Sequence, residues 1–442
     1  MSEGKENAGL SRSIGLAALV IYGVGDMVGA GIYGTIGKAA GVMGNAVWMA
    51  FVVSMIAALL TGLTYASLAS RYPRAAGAAY VTYRAYGFKF LSYVVGLAVT
   101  ASGLTSMATG SRVFAENLDH LIGETFPLWV LFLLFIGLLT VVNLRGIRES
   151  MWVNIVCTVI EVGGLFFIIA MALPYLGKVN YLETPPAAGG LTAPLVMSGA
   201  VLTFYAFVGF EDLLNLSEEV KNPRHTMPWG IILAVGCATI IYVLISVAAV
   251  SVVPYASLAD KANGAPMEQI TRVAAPWVPA GLYTGITLFA VANTALMNFI
   301  MGSRLIYGMA RQGLLPSFLG AVHPTRHTPH RAILVLGLIV ALLAFSGNVR
   351  TLADSTSLLL LLVFALMNAA LIVLKLRKGE EKGAFEVPII VPALGTLVCL
   401  GLIYVRLFHS DVGLEAPGIS LIMLAGIAVL YFLMRPKTVV TE

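Results

Sequence analysis

Apolar residues in this chain come in long, nearly unbroken runs. They show neither the strict alternation of a half-buried strand nor the three-and-four spacing of a surface helix. Twelve runs approach the roughly 20 residues that a helix needs to cross a bilayer. Their approximate limits are 14–36, 45–70, 89–115, 127–145, 151–175, 195–218, 228–253, 279–304, 331–347, 355–375, 388–408 and 416–434. The pattern predicts an all-α polytopic membrane protein with 12 transmembrane helices. The longest outer connections, about 176–194 and 254–278, are rich in Gly, Pro and Ala and leave room for short helices.

Two runs are interrupted. Residues 22–34 place five glycines and a carboxylate, Asp26, in the middle of the first span. Glycine costs about 1 kcal/mol in a helix interior, and an ionisable group at bilayer depth costs on the order of 2.5–3.5 kcal/mol. A helix that only had to span lipid would carry neither. The sixth run is broken at Gly209, between Tyr205-Ala206-Phe207-Val208 and Phe210-Glu211-Asp212. The first and sixth spans run in opposite directions through the membrane. Two broken helices in that relation point to an inverted repeat with a midplane ligand site between them.

Composition agrees with the pattern. Hydrophobic residues make up 59% and charged residues 11% of the chain, whereas soluble domains carry about 25% charge. With the amino terminus placed inside, the inner connections hold 20 of the 27 Lys and Arg residues, from Lys5 and Arg12 to Arg304 and Lys437. That is the bias of the positive-inside rule and puts both termini in the cytoplasm. It also accounts for the net charge of +5 without a nucleic-acid partner. The first run has no cleavage site after it and is expected to be a retained span. Cys157, Cys237 and Cys399 lie in apolar runs at no metal or redox spacing, and no cofactor is expected. No His/Cys or HExxH-type pattern lies in the spans, as a membrane enzyme would require.

Several segments resemble, in order and spacing, the amino acid–polyamine–organocation (APC) family of secondary transporters. They are Gly29-Ala30-Gly31-Ile32-Tyr33, Tyr65 to Arg74 followed by Gly77-Ala78-Ala79-Tyr80, Phe207-Val208-Gly209-Phe210-Glu211, Glu218 to Pro223, and Ser303 to Pro316. The similarity covers nearly the whole chain. It implies one transporter domain over 1–442 with a LeuT-like 5+5 inverted repeat. Repeat one would span about 14–175 and repeat two about 195–375, with peripheral helices 11 and 12 at about 388–434. It further implies alternating-access transport of an amino acid across the plasma membrane, that of a bacterial inner membrane. A polyamine or other organic amine is the alternative substrate, and a channel fits the broken helices less well.

The break in span one frees N–H groups at the start of its outer half, suited to a substrate carboxylate. The resemblance assigns that contact to Gly29, Ala30 and Gly31, beside Asp26 and Met27. A gating aromatic matches Tyr205 or Phe207, and freed carbonyls near Gly209 would accept from a substrate amino group. Ser102 and Ser106 of span three are expected to line the pocket, with spans eight and ten completing it. Four carboxylates lie at membrane depth, Asp26, Glu161, Glu211 and Asp212, and the span interiors carry no Lys or Arg to match them. They must hold protons or be balanced by an external cation: a proton, Na⁺ or a charged substrate. Glu211 and Asp212 could also cap the lower half of span six. Many relatives place a lysine in the fifth helix where this chain has Glu161. Asp26, Glu161 and Asp212, with the neutral oxygens of Asn293 and Thr294, are therefore the expected coupling groups. Glu218, Glu219, Lys221 and Arg224 mark the inner mouth as a gate or ordinary interfacial ion pairs.

Overall fold

The computed structural model describes residues 10–123, 125–279, 281–346, 349–408 and 415–436. Lys5 and Lys437, counted in the charge bias, lie outside them, as do the side chains of Ala30, Lys261 and Arg350.

Sixteen α-helices make up the described residues. In chain order they are α1 (Leu16–Val28), α2 (Ala30–Met43), α3 (Val47–Arg71), α4 (Gly77–Tyr86), α5 (Lys89–Ile122), α6 (Leu128–Arg145), α7 (Ile147–Ala172) and α8 (Ala193–Phe204). They continue with α9 (Pro223–Val252), α10 (Tyr255–Ala259), α11 (Pro266–Ala274), α12 (Gly281–Arg311), α13 (His330–Ala344), α14 (Val349–Leu376), α15 (Ile390–Phe408) and α16 (Glu415–Met434). Eleven of the twelve apolar runs fall mainly on α-helix, and the sixth does so only over its first half. Among the described residues, ten helical segments are long and apolar enough to cross a membrane, one of them only when α8 is joined with the 3₁₀ turns that follow it; Leu16–Val28 and His330–Ala344 are apolar but shorter. The loop after α9 folds into α10 and α11, whereas α4, in a more polar stretch, was not expected.

The interrupted elements sit at the centre. α1 packs against α7, α9 and α12, and α3 packs along α9. α5 runs between α12 and α14, and α15 and α16 lie outside α14. On α16, Leu421, Ile422, Phe432 and Leu433 face outward, as a lipid-facing helix requires. The second half of span six departs from expectation. After Gly209 the chain forms turns and a 3₁₀ segment over Asp212–Leu216 instead of an α-helix.

One end of the molecule is fastened by polar contacts. Ile14 and Val220 form an isolated parallel bridge. The Ile14 N–H donates to the Glu219 carbonyl at 3.0 Å, and the Lys221 N–H to that of Ile14 at 2.8 Å. Arg304, counted above with the inner connections, is instead fully buried inside α12. Its guanidinium bonds both carboxylate oxygens of the equally buried Glu219, at 2.9 and 3.2 Å, and Asn143 Oδ1 at 2.8 Å. The reason is an accessible partner: a charge remains in the interior when its counter-ion and hydrogen bonds come with it. Glu218 accepts the Ala75 N–H at 3.0 Å.

The connection between α14 and α15 is tied to the same end. Arg71 donates twice to Glu386, at 2.7 and 2.8 Å, and Lys375 donates to it as well. Burial raises the Glu386 carboxyl, but the bonds from Arg71 and Lys375 outweigh it and bring it down to about 2. Tyr72 and Arg84 both donate to Glu380.

Candidate functional site

The first break is set by close packing. Gly29 ends α1 and precedes α2, and a Cβ there would collide with the Thr294 hydroxyl of α12. Only a residue without a side chain lets the first span bend against α12. In the sixth span α8 tightens to one 3₁₀ turn over Tyr205–Phe207, Val208 is extended, and Gly209 takes φ 131°. That angle lies where L side chains are strained. Its Cβ would also stand 3.1 Å from Asp26 Cγ, so the two breaks meet at Asp26 and Gly209.

Two groups hold the breaks in place. Glu211 folds back so that its Oε2 accepts the Gly209 N–H at 2.8 Å. It thus caps a backbone group freed by the break, not the start of an α-helix. Tyr242 of α9 is fully buried, with its hydroxyl 2.6 Å from both the Met27 and the Ala206 carbonyl oxygens. Phe207 packs edge-on against the Tyr242 ring at 5.0 Å.

Between the breaks lies a cavity of about 140 Å³. The first span supplies Asp26, Met27 and Gly31; the sixth supplies Tyr205, Val208, Gly209, Glu211 and Asp212. α5 contributes Val99, Ser102, Gly103 and Ser106, α12 contributes Thr294, Asn298 and Met301, and α14 contributes Thr356 and Leu360. Drug-sized ligands take roughly 300–1,000 Å³, so this space suits a smaller molecule. Three of its lining residues are carboxylates and none is Lys, Arg or His. Asp26 and Asp212 both line this cavity and lie near enough for their carboxyl groups to interact electrostatically. Asp26 Oδ2 is buried without a hydrogen-bond partner among the described residues.

The expected site residues therefore divide. Asp26, Met27, Gly31, Ser102, Ser106, Tyr205, Gly209, Glu211, Asp212 and Thr294 line the cavity. Gly29 lies behind it against Thr294, Ala30 begins α2, and Phe207 is buried against Tyr242. Glu161 and Asn293 form a second polar centre between α7 and α12. Asn293 Nδ2 lies 2.9 Å from Glu161 Oε1 and 3.0 Å from Thr158 Oγ1, while Asn293 Oδ1 accepts from Asn154 Nδ2 at 2.9 Å. Glu161 Oε2 and Asn154 Oδ1 are buried there without partners among the described residues.

Sequence reasoning passed over Val99, Asn298, Met301 and Leu360. Helical spacing is the signal for α5 and α12: 99, 102, 103 and 106 share one face, as do 294, 298 and 301. Tyr242 had no such signal, because one tyrosine in an apolar run reads as packing.

Interrupted helices meeting around a small acid-lined cavity, within a bundle of long apolar helices, define a multi-pass integral membrane protein. The chain belongs to the amino acid permease family, whose sequence model matches residues 14–433. It is 30% identical over 416 residues to a branched-chain amino acid permease of Bacillus subtilis (strain 168), covering 89% of this chain and 88% of that one. It is 27% identical over 426 residues to a methylthioribose transporter of the same organism, covering 91% and 90%. Cationic amino acid transporter 4 of Mus musculus is 30% identical over 406 residues, 86% of this chain and 62% of the relative. The family, and two of these three relatives, support amino acid transport.

Proposed function

We propose that this chain is a secondary active transporter that carries an amino acid through the cavity between spans one and six by alternating access. The reading places it in a bacterial inner membrane with both termini cytoplasmic. The twelve apolar runs are then twelve spans in a LeuT-like 5+5 inverted repeat, with α15 and α16 peripheral. The observation that carries it is the meeting of two interrupted helices at Asp26 and Gly209 around a cavity sized for a small molecule. A helix break leaves N–H groups for a carboxylate and carbonyls for an ammonium, the two ends of an amino acid. Here the donors are at the start of α2.

Coupling belongs to the buried acids. Glu161 has one oxygen held by Asn293 and one with no donor among the described residues, which suits a group that exchanges a proton or Na⁺ during the cycle. Asp26, which lines the cavity, links that event to the substrate.

The test is uptake into liposomes reconstituted with the purified chain, screening amino acids and polyamines under imposed proton or sodium gradients. Saturable, gradient-driven accumulation of an amino acid is expected, lost in Asp26→Asn and Glu161→Gln. Unsaturable current without stoichiometric ion flux would overturn the carrier reading. Either variant retaining wild-type accumulation, ion dependence and pH profile would overturn the coupling assignment.

A further inference from the structure

The cavity holds more acidic groups than the single ammonium of a neutral amino acid can answer. Asp26, Glu211 and Asp212 are each at least nine-tenths buried and line the same 140 Å³. The buried cation Arg304 is already committed to Glu219 and Asn143. Glu211 is partly satisfied by the Gly209 N–H. Asp26 lines the cavity, and its Oδ2 is buried with no hydrogen-bond donor among the described residues. Isolated buried carboxylates are costly, and an arriving cation relieves that cost. A separate buried acid, Glu161, lies outside the cavity lining as an ion site, so Asp26 and Asp212 face the substrate while Asp26 links its binding to that site.

Building on the transport reading, we propose that the cavity selects an amino acid whose side chain carries a second positive charge, seated on Asp26 and Asp212. Val99, Met301 and Leu360 provide apolar walls for the methylene stem of such a side chain. Its carboxylate takes the start of α2 near Gly31. The substrate then differs from that named for the branched-chain relative, whose cargo ends in methyl groups.

Two matched pairs of charged and neutral amino acids test this on the purified full-length chain in nanodiscs. Norleucine is lysine without its terminal ammonium, and citrulline replaces the guanidinium of arginine with a neutral urea. Lysine and arginine are expected to bind at least about tenfold more tightly than their neutral counterparts. Asp212→Asn is expected to narrow both ratios to within about threefold. Equal binding within the wild-type pairs overturns cation selection whether or not the variant folds. If norleucine is nonetheless accumulated in the liposome assay, the transport reading stands while the selectivity falls. If liposomes accumulate none of the four compounds nor any other amino acid, the transport reading falls with it.

Discussion

The hydroxyl of Tyr242 carries one proton and sits 2.6 Å from each of two main-chain carbonyls, Met27 at the first break and Ala206 at the sixth. One O–H can donate fully to one acceptor, so the ring ties both interrupted spans to α9 through a shared bond. Tyr242→Phe removes that donor from two buried carbonyls. A loss of roughly 1–3 kcal/mol in stability is expected, read as a lower unfolding midpoint of the purified protein. An unchanged midpoint would show that neither carbonyl depends on the hydroxyl. Residues of this kind were the least legible in the sequence. Asp26 announced itself because a carboxylate inside an apolar run is expensive, and Gly209 because it parts two apolar stretches. Tyr242 and Met301 are apolar enough to belong in any span, and only the fold brings them to the site.

At the scale of elements, helices were legible because an apolar run of about 20 residues has few other stable forms. Their ends were less so: α12 continues to Arg311, past the polar residue taken as its limit, because Arg304 brings its own counter-ion. The 3₁₀ segment at Asp212–Leu216 was hidden for a related reason, since Glu211 spends its carboxylate backwards on Gly209 instead of starting an α-helix. The α14–α15 connection shows what charge does where water is near. Glu386 is held near 2 by Arg71 and Lys375, below its unfolded value. Its stabilising contribution is therefore complete above the ordinary carboxylate range and disappears as pH falls through about 2. A gap in unfolding midpoint between wild type and Glu386→Gln is expected at neutral pH, closing between about pH 4.5 and 2. A gap that persists undiminished at pH 2 would rule out the ion pairs as its source.

Across the whole molecule, one end is closed by Glu219, which joins the exit of the sixth span to Arg304 of α12 and, through Asn143, to α6. Breaking a fully buried pair strands a charge and costs on the order of 3–5 kcal/mol. Arg304→Met alone is expected to lower stability by about that much. Arg304→Met with Glu219→Leu is expected to recover most of it, measured by thermal unfolding in detergent. No recovery in the double variant would mean that the charges, and not merely their balance, are needed. The fastening beside it is of another kind. The bonds between Ile14 and residues 219–221 are made by the main chain alone, so they specify no amino acid beyond the need for an N–H. Such a seam leaves almost no trace in a sequence comparison. Relatives at 27–30% identity, whose names give different cargo, can diverge at every side chain along it without giving it up.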